Sequence, residues 1–193
     1  MWTKRWMRRL GFWLTAATLS AAGAQAQIKE ADRTGGPYVP TPQVVVDQML
    51  RFGNIGEKDY VMDLGSGDGV IVLTAAHRLK ASGMGIEIDP ELVQRSNASA
   101  KKLGITDRAT FQAQDVFKAD LSRATVVTLY LLPGMMMNLR NKIYNELRPG
   151  ARVVSHDFHM DAWKADLQRE VPVPGKSYGP PVSTLYLWVV PAN

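Results

Sequence analysis

Residues 61–69 read Val-Met-Asp-Leu-Gly-Ser-Gly-Asp-Gly, and the rest of the chain can be understood from its position relative to this segment. A short apolar segment runs into an acidic residue and then into a loop with glycine at every second position. The apolar run 70–73 follows directly. This order predicts a strand, a ligand-binding turn and a helix, which is how a cofactor pocket opens at the end of a parallel strand.

Strands and helices alternate along the rest of the chain. Apolar patterning and turn residues predict strands at 60–63, 84–89, 109–112, 125–131 and 152–155, and helices at 42–52, 70–81, 90–103 and 135–147. Thr41 is expected to cap the first helix, with Pro42 at its first position. Two β-like runs within 171–190 suggest an antiparallel hairpin at the sheet edge. The chain is therefore predicted to form an α/β domain with a mostly parallel sheet.

The N-terminal residues have a different composition from the rest of the chain. Four basic side chains within residues 4–9 precede the apolar run 10–22, and Ala24-Gln25-Ala26 offers the small residues that a signal peptidase reads. The apolar run is shorter than the roughly 20 residues that span a bilayer, which favours a cleaved signal over an uncleaved anchor. We predict three parts: a signal peptide or membrane anchor at 1–26, a linker at 27–36 and one domain at 37–193. An exported, periplasmic or inner-membrane location follows from this prediction.

The net charge of +5 does not indicate a nucleic-acid partner. Without the four basic residues of the N-terminal segment, 19 basic side chains face 18 acidic ones, so no basic surface is predicted. The chain has no cysteine, which excludes disulfides and thiolate metal sites. His156, Asp157 and His159 are metal-ligating types, but neighbours along a strand end point to different faces, so no metal site is predicted.

The glycine loop differs from the dinucleotide-binding fingerprint. That fingerprint requires glycine at its first, third and sixth positions, whereas the sixth position here is Val70. Asp68 also places a carboxylate where a pyrophosphate would lie, which disfavours an anion and suits a cationic ligand. The loop therefore predicts a cofactor without phosphates.

The ordered motifs resemble those of the class I S-adenosylmethionine-dependent methyltransferases. They are the loop at 63–69, Glu87-Ile88-Asp89 after the second strand and Gln114-Asp115 after the third. The resemblance implies a Rossmann-like fold with a mostly parallel seven-stranded sheet and a C-terminal antiparallel hairpin, and S-adenosyl-L-methionine as cofactor. It also implies cofactor contacts from Tyr38, Pro40, Thr41, Asp63, Gly65, Ser66, Gly67, Asp68, Gly69, Glu87 and Asp115.

Within that set the resemblance implies particular roles. Gly65 and Gly67 would let the backbone approach the methionine part of the cofactor, and Asp63 would lie near its amino group. Glu87 would bind both ribose hydroxyls, and Asp115 the adenine amino group.

Three further stretches resemble a narrower family. Tyr-Val-Pro-Thr-Pro at 38–42, Tyr-Leu-Leu-Pro at 130–133 and Arg-Val-Val-Ser-His-Asp-Phe at 152–158 are similar to small protein-lysine methyltransferases that act on mitochondrial membrane proteins, and to their bacterial relatives. These are the enzymes of the ATP synthase c-subunit and adenine nucleotide translocase type. The resemblance implies methylation of a lysine amine. It does not carry over the substrate, because we expect His156-Asp157 to differ from the eukaryotic members.

Candidate residues for the acceptor side follow the fourth and fifth strands. Tyr130 and Pro133 lie where open α/β sheets place ligands and could line a channel for the amine, although a core tyrosine and a strand-ending proline explain them equally well. His156 is a candidate general base, because the unperturbed pKa of histidine suits neutral pH. The segment 38–42 is a candidate lid.

Two alternatives to protein methylation stay open on the sequence. Export would separate the protein from cytosolic S-adenosylmethionine, which makes a non-catalytic cofactor-binding module conceivable. A small-molecule amine is the other possible acceptor.

Overall fold

The computed structural model describes residues 36–176 and 179–192, so the predicted segment 1–26 and all but the last residue of the predicted linker lie outside it. In the described part, helices and strands alternate as the sequence predicts. The elements are α1 (Gln43–Phe52), β1 (Tyr60–Leu64), α2 (Val70–Leu79), β2 (Ser82–Glu87), α3 (Pro90–Lys102), β3 (Ala109–Ala113), a 3-10 turn (Val116–Lys118), β4 (Val126–Leu129), α4 (Pro133–Glu146), β5 (Arg152–His156), β6 (Leu167–Pro172) and β7 (Val182–Val189).

The strands form one seven-stranded sheet in the order β3-β2-β1-β4-β5-β7-β6. The first five strands pair in parallel, and β7 is antiparallel to both β5 and β6. The predicted mostly parallel sheet with a C-terminal antiparallel hairpin is therefore confirmed. Because the chain runs from β1 to β2 on one side and reaches β4 on the other, the strand order reverses beside β1, where open α/β sheets bind ligands.

The core lies on both faces of the sheet. On one face α1 and α2 bury Val46, Met49 and Ile71 against the central strands, and on the other face α4 buries Leu139 and Ile143. All residues of β4 are buried, which explains its continuous apolar sequence.

Several local features differ from the sequence predictions. The second strand spans Ser82–Glu87 instead of 84–89, and the first strand of the hairpin begins at Leu167, before the predicted range 171–190. Pro42 occupies the N-cap of α1 without a side-chain hydrogen bond, so the prediction that Thr41 caps this helix was wrong; Thr41 lines a cavity instead. The fourth strand ends at Leu129, earlier than predicted, and Tyr130 therefore lies just past the strand end. Helix α4 begins at Pro133 itself, because proline suits the first turn of a helix.

Among residues 36–176 and 179–192, none of the helices has the length and apolar character needed to cross a membrane.

Candidate active site

A cavity of about 520 Å³ opens at the carboxyl ends of the central parallel strands. The side chains that give it its charge are carboxylates, and no lysine or arginine is among the described residues of its wall. The carboxylates belong to Asp63, Asp68, Glu87, Asp89 and Asp115. Such a cavity suits a cationic ligand that carries hydroxyl and amine groups, and it disfavours a phosphate.

The glycine loop forms the middle of the cavity wall. Gly65, Gly67 and Gly69 all adopt positive φ, at 78°, 53° and 79°, a conformation that costs side-chain-bearing residues free energy. Gly69 serves as the N-cap of α2, a Cβ placed on it would meet the Phe111 ring, and it is not part of the cavity wall. Gly65 and Gly67 border the cavity directly, as predicted.

Glu87, the last residue of β2, holds this loop in place. Its Oε2 accepts a hydrogen bond of 2.8 Å from the backbone N–H of Gly67, across 20 positions of sequence. Its Oε1 accepts from the N–H groups of Ile88 and Asp89 at 2.8 and 3.0 Å. The carboxylate is buried but borders the cavity. Glu87 therefore fixes the loop and keeps acceptor capacity for ligand hydroxyls on the cavity side.

Asp63 lies at the floor of the cavity and is only 3% exposed. Its Oδ1 accepts a hydrogen bond of 2.7 Å from the Thr128 hydroxyl on β4. Burial raises the pKa of Asp63 from 3.8 to about 7, the nearby carboxylates of Glu87 and Asp68 add to that rise, and the Thr128 hydrogen bond opposes it. A cation bound in the cavity would therefore stabilise the ionised form of Asp63.

Replacing Asp63 by Asn is expected to stabilise the free protein while weakening cofactor binding. Because the folded-state pKa exceeds the unfolded value, burial of Asp63 lowers stability as the pH rises from 3.8 through about 7, and the penalty is constant above that. Asn mimics the protonated acid and removes the penalty. Thermal denaturation of both proteins should show a larger Tm gain for Asp63→Asn at about pH 8 than at about pH 5.

The same variant should bind S-adenosylmethionine at least about tenfold more weakly, since a charge-assisted contact is lost. A Tm change that is equal at both pH values, or an undiminished affinity, would contradict this role of Asp63.

The ring of Tyr38 packs against the glycine loop at Gly67. A Cβ placed on Gly67 would lie 2.5 Å from the Tyr38 ring, so only glycine permits this approach. The Tyr38 hydroxyl donates to Asp68, and burial together with this hydrogen bond raises the pKa of Tyr38 to about 12. The predicted lid segment thus lies over the cavity through Tyr38 and Thr41. Pro40 is exposed and does not line the cavity, because it turns the chain towards α1.

Asp115 and Ile88 border the cavity beyond Glu87. The Oδ1 of Asp115 accepts from the N–H of Phe117 at 2.9 Å and caps the 3-10 turn. Ile88, which had no predicted role, is 43% exposed on the cavity wall, and Val116 lies nearby. A flat apolar group with an amine could therefore rest on Ile88 and donate to Asp115. The Ser66 hydroxyl is buried beneath the loop and has no hydrogen-bond partner among the described residues.

The end of the cavity at β4 and β5 is aromatic and uncharged. Tyr130 lines it together with Leu132, Met135 and Phe158, and the Tyr130 and Phe158 ring centroids are 6.1 Å apart. The sequence predicts a site role for Tyr130 but none for Leu132, Met135 or Phe158. Apolar residues at strand ends are read as core unless the fold shows that they face a cavity.

Two predicted acceptor-side residues do not line the cavity. Pro133 is exposed in the first turn of α4. His156 is 1% exposed and lies behind Tyr130, with ring centroids 3.9 Å apart. Burial lowers the pKa of His156 well below its ordinary value, Lys176 adds to that effect and Asp157 opposes it. No group of three or more metal-ligating side chains occurs in the described part of the chain.

The site fits S-adenosyl-L-methionine. Its wall offers carboxylates that can accept hydrogen bonds from hydroxyl, amine and ammonium groups, and the backbone of Gly65 and Gly67 borders the cavity. No cation in the described wall opposes a sulfonium. The fold and this cavity define a class I S-adenosylmethionine-dependent methyltransferase.

The comparison with known proteins gives the family. The sequence model of the ANTKMT methyltransferase domain matches residues 63–167, and the chain belongs to this family. A protein-lysine N-methyltransferase from Saccharolobus islandicus is 43% identical over 128 residues, covering 66% of this chain and 80% of that protein. A lysine N-methyltransferase of the ATP synthase c-subunit from Xenopus laevis is 34% identical over 130 residues, covering 67% of this chain but only 57% of the frog protein.

Among solved structures, one similar chain has a name that specifies a different methyl acceptor. It is described as an RNA methyltransferase from Salinibacter ruber in complex with S-adenosyl-L-homocysteine, with 47% identity and a TM-score of 0.72. The match covers 80% of this chain and 95% of that one. The relatives thus agree on methyl transfer and differ in the named acceptor.

Proposed function

We propose that this protein transfers a methyl group from S-adenosylmethionine to a lysine side chain of a protein. The observation that carries the proposal is the division of the cavity into two parts. Carboxylates surround the part over β1 to β3, whereas Tyr130, Leu132 and Phe158 form an uncharged aromatic part over β4 and β5. A long side chain ending in an amine matches the second part.

The geometry of the cavity supports a proposal for which residues would hold the cofactor. Glu87 and Asp115 would accept from its hydroxyl and amine groups, Asp63 would face its ammonium group, and the backbone at Gly65 and Gly67 would lie against its methionine part. When bound, S-adenosylmethionine supplies an electrophilic methyl group on a positively charged sulfur.

The aromatic part of the cavity would prepare the acceptor. Burial of an amine against Tyr130 and Phe158 disfavours its charged form. The ammonium would give its proton to bulk water as it enters the cavity, and the neutral nitrogen would then present its lone pair for attack. Exclusion of water and alignment of the amine can supply most of the rate, since orientation is worth about 7–11 kcal/mol in well-aligned reactions. No covalent enzyme intermediate is needed.

Two relatives support a lysine acceptor, because their names specify lysine methylation. The name of the Salinibacter ruber structure favours RNA methylation as the second candidate. Against RNA stand the near balance of 19 basic and 18 acidic residues beyond the N-terminal segment and the acidic cavity wall. The protein-lysine acceptor is therefore the better-supported proposal.

A labelling experiment separates these acceptors. The purified protein is incubated with methyl-labelled S-adenosylmethionine and a membrane extract, and the label is followed after protease or ribonuclease treatment. We expect protease-sensitive label that hydrolysis returns as methyl-lysine. Label removed by ribonuclease, or found only in low-mass products, would overturn the lysine acceptor, and cofactor binding without transfer to any fraction would favour a non-catalytic binding module.

We further propose that residues 1–26 direct the protein to the membrane or across it, as a signal peptide or an anchor. The support is the order of basic, apolar and small residues in that segment. Gly36 lines the cavity, so residues 27–35 alone would join an uncleaved anchor to the open site and keep that site near a membrane-embedded acceptor. Cell fractionation with N-terminal sequencing tests this: a native protein starting at Gln27 indicates cleavage, and an intact cytosolic protein would contradict both forms.

A further inference from the structure

The ring of His156 lies directly behind Tyr130 and not in the cavity. The two rings are stacked, with centroids 3.9 Å apart and planes inclined by 28°. We propose that His156 is a positioning residue, whose ring supports Tyr130 at the acceptor end of the cavity and is itself held by the C-terminal hairpin. This inference rests on methyl transfer as the function but not on the identity of the acceptor.

The hairpin holds the His156 ring through Ser183. The Nε2 of His156 and the Oγ of Ser183, a residue of β7, are 2.8 Å apart, and both side chains are buried. Asp157 lies beside the same ring edge, with its Oδ2 at 3.3 Å from Nε2. The ring orientation thus depends on a strand that contributes no residue to the cavity wall among the described residues.

Asp157 connects the end of β5 to the hairpin. Its Oδ1 accepts from the N–H of Thr184 at 2.9 Å, and its Oδ2 accepts from the Nζ of Lys176 at 2.6 Å. Lys176 also donates to the carbonyl of Val182 at 2.9 Å. Asp157 itself adopts a left-handed conformation, with φ of 62°, which aspartate tolerates better than most residues with a side chain. The backbone next to His156 is therefore tied to the hairpin through both carboxylate oxygens of Asp157.

A general base would need different surroundings. His156 does not border the cavity, and its Nδ1 is buried with no hydrogen-bond partner among the described residues. The flat face of the ring contacts Tyr130, so the contact depends on ring shape more than on the nitrogen atoms. A phenyl ring should replace it, whereas an aliphatic side chain should not.

The test compares two double variants, His156→Phe/Ser183→Ala and His156→Leu/Ser183→Ala. Both remove the two partners of one buried hydrogen bond together, which avoids leaving a single unsatisfied group. Only the first retains a ring behind Tyr130. His77→Leu, which changes an exposed histidine of α2, is the control for loss of a histidine at the surface. Initial rates are measured with the acceptor that the labelling experiment identifies, whether protein or RNA.

We expect His156→Phe/Ser183→Ala to lose about threefold in acceptor kcat/KM and His156→Leu/Ser183→Ala to lose at least about tenfold, with similar S-adenosylmethionine affinity in both. The pH–rate profile of the Phe variant should keep the wild-type shape. Nitrogen NMR of the free wild-type protein should show a His156 ring that does not titrate between about pH 6 and about pH 8.

Three results would overturn the proposal. Equal losses in both double variants would remove the role of the ring. The rate could lose its dependence on pH on the acidic or the basic side of the profile in the Phe variant, or His156 could titrate at the pH where the wild-type rate changes. Either result would show that His156 acts as a general base. Absence of lysine methylation alone would overturn the proposed acceptor and leave this inference testable, because the NMR signal and the ring contact do not depend on the acceptor.

Discussion

Replacing Glu87 by Gln is expected to raise the dissociation constant for S-adenosylmethionine at least about a hundredfold, because charge-assisted hydrogen bonds are worth about 1.5–3 kcal/mol each. The side chain accepts hydrogen bonds from three backbone N–H groups and also faces the cavity. Gln has one acceptor oxygen in place of two, so its NH₂ group would face a backbone N–H of the loop or of the segment after β2, and two donors repel each other. This repulsion would disturb the loop, and the side chain would offer fewer acceptors to the hydroxyl groups of the ligand.

Titration calorimetry with S-adenosylmethionine and S-adenosylhomocysteine measures this effect. Glu91→Gln is the matched control, since Glu91 is an exposed residue in the first turn of α3 and does not line the cavity. We expect the control to bind within about twofold of wild type, as surface changes usually do. Binding by Glu87→Gln that equals the control would show that the cofactor does not bind over β2.

Replacing Tyr130 by Ala is expected to lower acceptor kcat/KM by about a hundredfold, which corresponds to about 2.7 kcal/mol of transition-state stabilisation. The ring forms the wall of the aromatic part of the cavity and contacts His156 and Phe158. Its removal opens this part to water and removes the surface that would align the amine. Affinity for S-adenosylmethionine should change much less, because the carboxylates of the cofactor part are untouched.

Two measurements separate the effect on the acceptor from the effect on the cofactor. Steady-state rates at varied acceptor concentration give acceptor kcat/KM, and calorimetry gives the affinity for S-adenosylmethionine. Tyr130→Phe keeps the ring and should lose much less than Tyr130→Ala. Tyr144→Ala, at a tyrosine that is 42% exposed on α4 and outside the cavity wall, is the matched control. A Tyr130→Ala variant that loses cofactor affinity and keeps acceptor kinetics would reverse the assignment of the two parts of the cavity.

The sequence predicts those features of the fold that local patterns determine. Alternating apolar runs and glycine or proline turns predict the parallel sheet, because apolar residues repeat at a different spacing in strands than in helices. The loop at 63–69 is recognisable for the same reason, since three alternate glycines occur where the backbone requires positive φ.

Contacts between distant residues could not be predicted in this way. The hydrogen bond from the Gly67 N–H to Glu87, and the Tyr38 ring over Gly67, exist only once β1, β2 and the segment before α1 have come together. His156 looks like a polar strand-end residue in the sequence, and only the structure shows that it is buried behind Tyr130, the observation on which its proposed positioning role rests. Pro133 and Pro40 were assigned to the site through neighbours in a motif, yet both face solvent.

The most direct test of the account is mass-spectrometric mapping of the methylated product, with wild type and Glu87→Gln compared on the same membrane extract. We expect an added methyl group on the Nζ of a lysine in a protein, formed by wild type and not by the variant. A methyl group on RNA or on a small molecule would contradict the proposed acceptor. Equal lysine methylation by both proteins would contradict the assignment of this cavity as the site of methyl transfer.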